Sequence, residues 1–379
     1  MAAATASVHV ETSLIPLMGY VKDLATQSNK LGTIPSDYDY STIRPEDYDT
    51  DQHVVAQEQV IPTIDFSLLA SNSPKQRSRV IQDLANACRD WGFFMVINHG
   101  VPEKLREDML NAFQNFFDLT EEEKLECAGK HVLDPIRCGT SFNANVEKVF
   151  FWRDFLKVLV HPQFHSPSEP PNFSHFGRDT PTNFAYYNSE ISLEYCKRTR
   201  QVVRELLKAI SESLGLEECY IDKVLELESG LQILTGNLYP PCPQPELAMG
   251  MPPHSDHGLL TLLIENEIGG LQLKHNGKWI NVQALPNSFL VNTGDHLEIL
   301  SNGKYKSVLH RAVVNSKATR ISLAMAHGPC FDKIVTPAPE LVDCDKNPPA
   351  YLGMRYKEYL ELQQSNPLNG KSCLDRVRL

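Results

Sequence analysis

Apolar residues recur every three or four positions through much of the first part of the chain, a spacing typical of amphipathic helices. The pattern predicts helices over about 14–30, 73–90 and 184–214 and in the segment that follows Pro102. Gly215 occupies the position of a helix C-cap, and Thr120 followed by Glu123 predicts a capping box at the start of a short helix. The first part of the chain is therefore expected to be mainly helical.

Shorter, continuous apolar runs predict strands. Three lie in the first part, at 60–66, 91–97 and 149–159, the last within a loop region over 131–182. Beyond residue 230, such runs alternate with Gly, Asn and Pro at 231–239, 258–264, 270–274, 278–283, 288–293, 296–300, 308–314 and 320–327. Short strands with turn residues between them indicate a jelly roll or a barrel. A helical segment over 351–364 follows them.

Composition and charge narrow the classes of partner. The chain of 379 residues is 42% apolar and 22% charged, and its net charge of −11 argues against a nucleic acid or an anionic membrane. It has no apolar run of bilayer-spanning length and no recognisable secretory signal, so we expect a cytoplasmic protein. Its nine cysteines are scattered and form no CxxC pair, which predicts reduced thiols.

The strand-rich part carries a candidate metal site. His254 and Asp256 stand two residues apart, and His310 follows on a later predicted strand. Alternate residues of a strand face the same way, so we expect His254 and Asp256 to share one metal ion. Two imidazoles and one carboxylate that leave other positions open form the facial triad of non-haem Fe(II) oxygenases. His9 and Glu11 repeat the spacing near the N-terminus and are given no metal role.

Three further residues suit a 2-oxo diacid that chelates such a metal. The distal carboxylate of this diacid needs a fixed cation, for which an arginine fork is well shaped. Arg320 and Ser322 lie two apart on one predicted strand, so both are expected to point into the barrel that holds the metal. Tyr239 precedes His254 and is expected to add a phenol contact.

These motifs, in this order, resemble the plant 2-oxoglutarate-dependent dioxygenases, the superfamily of flavonoid, gibberellin and alkaloid oxygenases. The resemblance covers most of the chain and rests on the segments Ile-Pro-Thr-Ile-Asp (61–65), Trp-Gly-Phe-Phe-Met-Val-Ile-Asn-His-Gly (91–100), Asn-Leu-Tyr-Pro-Pro-Cys-Pro (237–243), Pro-His-Ser-Asp (253–256), Gly-Gly-Leu-Gln (269–272), Asn-Thr-Gly-Asp (292–295), Ser-Asn-Gly (301–303), His-Arg (310–311) and Arg-Ile-Ser (320–322).

The resemblance implies a double-stranded β-helix, or jelly roll, flanked by helices. It divides the chain into an N-terminal helix and lead-in (1–58), a helical N-terminal region (59–225), a jelly-roll catalytic domain (226–335) and a helical tail (336–379). The implied metal ligands for Fe(II) are His254, Asp256 and His310. The implied contacts of 2-oxoglutarate are Arg320, Ser322, Tyr239 and Asn237, while His99 belongs to a structural turn.

The implied reaction is the oxidation of a small plant specialised metabolite, with hydroxylation as the favoured type of oxidation. Oxygen is consumed, 2-oxoglutarate is converted to succinate and carbon dioxide, and ascorbate is expected to support turnover. Two alternatives stay open: an oxidase of the same fold that does not use 2-oxoglutarate, and a ligand-binding protein without turnover. Family precedent suggests a monomer.

The resemblance also implies which residues form the substrate pocket. They are Phe142, Asn143, Thr235, Ala326 and Phe331. Flavonoid-oxidising relatives tend to carry an aromatic ring at Ala326, and some carry a basic residue at Thr235. Both departures argue against a flavonoid bound in the usual pose. For the segment Trp-Arg-Asp (152–154) two readings stay open: it borders the entrance of the pocket, or, as is favoured, it is a packed tryptophan beside an exposed salt bridge.

Overall fold

Two facing β-sheets form the centre of the protein. The computed structural model describes residues 19–43, 60–129, 131–144, 146–167, 183–368 and 370–379, with the backbone alone over 183–190. The helices are α1 (Val21–Leu31), α2 (Pro74–Asn86), α3 (Glu103–Asp118), α4 (Glu121–Lys124), α5 (Asn183–Ser213), α6 (Tyr220–Val224), α7 (Asp295–Leu300), α8 (Tyr356–Ser365) and α9 (Ser372–Arg376). In these described ranges, none of them is long and apolar enough to cross a lipid bilayer.

The strands are β1 (Thr63–Asp65), β2 (Phe93–Ile97), β3 (Ile136–Thr140), β4 (Asp154–His161), β5 (Gln232–Tyr239), β6 (Met251–His254), β7 (Leu260–Glu265), β8 (Leu271–His275), β9 (Lys278–Asn281), β10 (Phe289–Thr293), β11 (His310–Ala312), β12 (Arg320–His327), β13 (Ile334–Val335) and β14 (Met354–Arg355). The larger sheet has the order β1-β2-β10-β7-β12-β5-β4-β3 and the smaller one β6-β11-β8-β9, while β13 and β14 pair separately. This is the jelly roll expected from the run of short strands.

Strand β12 separates the functional cavity from the helical layer. Its even-numbered residues, from Arg320 to Ala326, face the cavity. Its odd-numbered residues, Ile321, Leu323 and Met325, join a buried cluster that also contains apolar side chains of α3 and α5. Because strand side chains alternate between faces, one strand serves both the core and the site.

Most helices expected from apolar periodicity are confirmed, as is the capping box. The hydroxyl of Thr120 accepts a hydrogen bond from the backbone N–H of Glu123, and the Glu123 side chain accepts one from the backbone N–H of Thr120. Gly215 follows α5 with a φ of 83°, in the left-handed region that favours glycine at a helix end. Part of the first expected helix, 14–18, lies outside the described residues.

The strand expected at 296–300 is wrong, because this segment belongs to the helix α7, all of whose residues are buried. A short apolar run that is buried on every side shows no period that separates a helix from a strand. Strands β3 and β6 were not expected. Strand β6 contains Pro252 and Pro253, which cannot donate ladder hydrogen bonds, and it accordingly lies at the edge of its sheet.

The boundary expected at 225/226 falls between elements that share one sheet. Strands β1 to β4 come from the region before it and make up half of the eight-stranded sheet. The C-terminal region after 335 contains α8, which the segment 351–364 predicted, together with α9 and with β14, which pairs with β13 outside the two larger sheets. Strands from before the catalytic region therefore complete the larger sheet.

The segment around Trp152 ties the N-terminal helix to the sheet. Trp152 is fully buried and its indole N–H donates to the carbonyl of Pro240 at 3.1 Å. The Asp154 carboxylate accepts hydrogen bonds from the backbone N–H groups of Val21 and Lys22, at 2.8 and 2.9 Å, at the start of α1. The packed tryptophan is confirmed, but the exposed salt bridge is wrong because Arg153 and Asp154 are both buried.

Gly236 is needed for the close packing of α3 on β5. A Cβ atom at this position would lie 1.9 Å from Cδ1 of the buried Phe113 ring. We expect Gly236→Ala to lower the free energy of unfolding by roughly 1–3 kcal/mol, because overpacking a dense core forces neighbours to shift. Urea unfolding measures this change. The control is Gly139→Ala, whose Cβ would meet Phe155 at an ordinary 3.5 Å. Equal stability of both variants would contradict this account.

Candidate active site

Three potential metal ligands converge in the wall of the cavity. Strands β6 and β11 pair antiparallel with His254 opposite His310, which brings the two imidazoles together. The ligand atoms of His254, Asp256 and His310 all lie within 4.8 Å of one another. The Asp256 Oδ1 atom is 3.8 Å from Nε2 of His254 and 3.6 Å from Nε2 of His310. This set of two imidazoles and one carboxylate fits a single metal ion that all three side chains would coordinate.

Asp256 joins the two histidines, but strand alternation does not place it as expected, because β6 ends at His254 and Asp256 lies in the loop that follows. Its position depends on β10 and α7 instead. The side-chain amide of Asn292 donates to Asp256 Oδ2 at 2.9 Å, and the backbone N–H of Asp295 donates to the Asp256 carbonyl at 2.8 Å. Oδ1 is thereby left to face the two imidazoles.

Neighbouring carbonyl groups set the orientation of both imidazoles. Nδ1 of His254 lies 2.8 Å from the carbonyl of Pro252, and Nδ1 of His310 lies 3.3 Å from that of Val308. A proton held on Nδ1 leaves Nε2 free as the metal-binding atom. The two Nε2 atoms are the ones that face Asp256.

The protonation states also suit a metal. Burial, reinforced by the charge of His310, lowers the pKa of His254 to about 3. Burial alone raises the pKa of Asp256, but the two imidazoles and the hydrogen bond from Asn292 outweigh it and lower that pKa to about 2. At neutral pH His254 is neutral and Asp256 is ionised, which is what metal coordination requires.

The four residues expected to contact 2-oxoglutarate form two cross-strand pairs. Strands β12 and β5 place Arg320 opposite Tyr239 and Ser322 opposite Asn237. The Asn237 amide donates to the Ser322 hydroxyl at 3.3 Å, and the Arg320 guanidinium lies 5.0 Å from the centre of the Tyr239 ring. A guanidinium, a hydroxyl, an amide and a phenol thus line one end of the same cavity.

Glu265 is a buried partner of Arg320 that sequence reasoning missed. Its Oε2 accepts hydrogen bonds from Nε of Arg320, at 3.0 Å, and from Nη2, and only 2% and 4% of the two side chains are exposed. The register of β12 against β7 places Glu265 beside Ser322. The ion pair fixes the guanidinium plane and leaves Nη1 directed toward the Ser322 hydroxyl.

The structure places three of the five expected pocket residues in the cavity wall and two outside it. Phe142, Thr235 and Ala326 line the cavity. Asn143 is placed beside it, where its amide donates to the carbonyl of Gln364 at 3.0 Å. Phe331 is not among the described residues that line the cavity and packs instead against Tyr356, with ring centres 6.5 Å apart.

Other lining residues were not expected. Strand β4 supplies Phe155 and Lys157, β3 supplies Arg137, and the C-terminal segment supplies Gln363 and Gln364. Arg153, Phe155 and Lys157 follow one another at a spacing of two residues, with Arg153 just before β4. Because strand side chains alternate, this spacing predicts that the three side chains share one face. Placement of the C-terminal glutamines depends on tertiary packing. His99 lies outside the cavity, with Nε2 2.9 Å from the Asn287 carbonyl, as expected of a structural residue.

Comparison with known proteins decides the family. Residues 227–329 match the 2OG-Fe(II) oxygenase superfamily, and residues 61–176 match the family described as non-haem dioxygenase in morphine synthesis N-terminal. The rice protein 2-oxoglutarate-dependent dioxygenase 19 is 48% identical over 322 residues, which cover 85% of this chain and 91% of that protein. This chain belongs to the 2-oxoglutarate–Fe(II) oxygenase superfamily.

Two further relatives extend the comparison. Flavanone 3-dioxygenase 2 of rice is 38% identical over 91% of this chain and 94% of its own length. A crystal structure of JOX2 in complex with 2OG, Fe and JA matches with a TM-score of 0.76 and 30% identity, over 96% of this chain and 98% of that one. The protein is therefore an oxidoreductase of the 2-oxoglutarate-dependent type, with Fe(II) and 2-oxoglutarate as its cofactors, O2 as cosubstrate and a small molecule as substrate.

The contact from Asn292 predicts an effect on metal affinity. We expect Asn292→Ala to weaken Fe(II) binding by roughly 10- to 100-fold, because residues that orient a metal ligand typically contribute that much. Anaerobic Fe(II) titration measures the dissociation constant. Asn281→Ala, an exposed position on β9, is the control. Unchanged affinity in Asn292→Ala would show that Asp256 needs no such support.

The Glu265–Arg320 pair predicts an effect on 2-oxoglutarate. We expect Glu265→Gln to lower the KM for 2-oxoglutarate by roughly three- to tenfold, since the amide oxygen still accepts from Arg320 but no longer neutralises its charge. The 2-oxoglutarate dependence of succinate release measures it. Glu267→Gln, exposed two residues further on, is the matched control. A higher KM in Glu265→Gln would contradict the charge argument.

Proposed function

We propose that this oxygenase hydroxylates a small plant specialised metabolite in the cavity between its two sheets. In this proposal Fe(II) is held by His254, Asp256 and His310. The 2-oxoglutarate contacts are Arg320, Ser322, Tyr239 and Asn237. The observation that carries the proposal is the position of the three clustered ligand atoms and the Arg320 group in one cavity.

The proposed metal and cosubstrate would supply the oxidising chemistry, with O2 reduced as 2-oxoglutarate is converted to succinate and carbon dioxide. The protein's own residues bind and orient. Arg320 and Ser322 offer a cation and a hydroxyl to the distal carboxylate, and Glu265 keeps the guanidinium plane in place. Hydrogen bonds from Asn292 and from the backbone of Asp295 hold the Asp256 carboxylate toward the imidazoles. The site is thereby organised before a substrate arrives.

The small side chains of Thr235, Ala324 and Ala326 line the part of the cavity left for the substrate. This supports a substrate other than a flavonoid stacked on an aromatic ring at Ala326, although one relative is named a flavanone 3-dioxygenase. The flavanone in the name of one relative and the JA bound in the JOX2 structure support a specialised metabolite. The proposal includes a monomer in the cytoplasm, with neither nucleic acid nor membrane as partner, which the net charge of −11 supports.

The test is oxygen exposure of the Fe(II)–2-oxoglutarate-loaded protein with a panel of flavonoids, coumarins, alkaloids and terpenoid acids. We expect at least one compound to raise succinate release and to gain one oxygen atom, as read by mass spectrometry. His254→Ala should lose both signals because it removes a metal ligand. No succinate from the iron-loaded protein under any condition would overturn the proposal in favour of an oxidase without 2-oxoglutarate or a non-catalytic protein.

A further inference from the structure

One wall of the cavity is cationic. Arg137 on β3 and Lys157 on β4 are cross-strand partners, so their side chains leave the sheet on the same face. Thr235 on β5 lies on the other side of Lys157. Arg153, just before β4, lines the cavity as well, and the Phe155 ring lies beneath the guanidinium groups of Arg137 and Arg153, at 5.9 and 4.9 Å.

The groups that accept hydrogen bonds from Lys157 and Arg153 are neutral. The Lys157 ammonium donates to the carbonyl of Val132 at 3.4 Å and to the Gln364 side-chain oxygen at 3.2 Å. Arg153 donates to the side-chain oxygen of Asn237 at 2.8 Å and to the carbonyl of Ser141 at 2.9 Å.

Carboxylates influence the wall only at longer range. In the described part of the chain, no carboxylate oxygen lies within the 4.0 Å salt-bridge distance of Arg137, Arg153 or Lys157. Asp134 acts on Arg137 and Asp154 on Arg153 from further away. Asp154 is already engaged by the backbone N–H groups of α1. The positive charge of the wall is therefore not matched by an ion pair.

An unmatched buried charge destabilises a protein unless a ligand compensates for it. Lys157 is 6% exposed, and its burial, with the charges of Arg137 and Arg153 adding to the effect, lowers its pKa to about 7. The chain as a whole is acidic, with 47 acidic against 36 basic residues, so a cluster of cations is not a general property of it. The wall has the character of an anion site.

Two cations of this wall, Lys157 and Arg137, are distinct from the proposed 2-oxoglutarate end. Arg153 is committed to Asn237, which contacts Ser322, and so belongs to that end. Asn237 is opposite Phe155 of β4, and Lys157 lies two residues beyond Phe155. Lys157 is opposite Thr235 of β5, which in turn is opposite Ala324 of β12. The cavity therefore has a second cationic position, formed by Lys157 and Arg137, beside the small side chains of Thr235 and Ala324.

We propose that the substrate is a small carboxylic acid, whose carboxylate pairs with Lys157 and Arg137 while its apolar part lies over Ala324 and Ala326 toward the metal ligands. This inference rests on the proposed function, since it names the substrate class of the same cavity. A guanidinium and an ammonium together give a carboxylate charge-assisted hydrogen bonds. The apolar part would bury against alanine side chains on the way to the metal.

The test compares each acid with its own uncharged amide. A set of benzoic, cinnamic, arylpropanoic and terpenoid acids, each with its primary amide, is added to the anaerobic Fe(II)–2-oxoglutarate-loaded protein. Ligand binding is read as a rise in Tm, and oxygen is then admitted to measure succinate. We expect at least one acid to raise Tm and to stimulate succinate release while its amide does neither.

Variants locate the effect. Lys157→Met should raise the half-saturating concentration of the active acid by about tenfold or more, because a buried charge pair loses one partner. Lys157→Arg, which keeps the charge, should bind the acid more tightly than Lys157→Met. Lys278→Met, which removes an exposed lysine of β9, should match the wild type. Should Lys157→Met fail to fold, the acid and amide comparison in the wild type decides alone.

The inference is overturned if every active acid is matched by its amide, if no acid acts, or if Lys157→Met binds the active acid as tightly as the wild type. Failure of the proposed function is recognised separately. The absorption band of the Fe(II)–2-oxoglutarate chelate and the slow succinate release without substrate test that function in the absence of any acid. If both are present while every acid fails, only the carboxylic-acid inference is rejected.

Discussion

The register of β12 between β5 and β7 is the constraint on which the cavity depends. It places Arg320 opposite Tyr239 and Ser322 opposite Asn237 on one side, and Ser322 opposite Glu265 on the other. A slip of one residue would turn Arg320 and Ser322 toward the helices and bring Leu323 into the cavity, since strand side chains alternate. The outward residues of β12 bury against α3 and α5, so the packing of the helical layer holds the register that the site needs.

The distribution of buried charge gives the cavity its chemistry. The chain as a whole is acidic. In its cavity, the Asp256 carboxylate faces the proposed metal position, and the Glu265 carboxylate pairs with Arg320. The cations of the wall, Arg137, Arg153 and Lys157, have no such partner within salt-bridge distance among the described residues. Because charges in a low-dielectric cavity act strongly on a ligand, this asymmetry favours an anionic substrate over a neutral one.

Much of this arrangement was predictable from local patterns. The grouping of His254, Asp256 and His310 followed from ligand chemistry, and the Arg320 and Ser322 pair followed from strand alternation. The route of Asp256 did not, because β6 ends at His254 and the carboxylate is positioned by Asn292, which is distant in sequence. Residues placed by tertiary contacts, such as Gln364 and Glu265, carry no local signal of their role. The buried helix α7 was mistaken for a strand because burial on all sides removes the period.

The central claim is that one cavity holds Fe(II) at the His254 cluster and the distal carboxylate of 2-oxoglutarate at Arg320. The most direct measurement is an anaerobic titration of the Fe(II)-loaded protein with 2-oxoglutarate, following the absorption of the metal chelate. The account predicts saturation at one equivalent in the wild type and a much higher 2-oxoglutarate requirement in Arg320→Ala, because a charge-assisted pair is lost. Equal affinity in the two proteins, or no chelate absorption in the wild type, would contradict it.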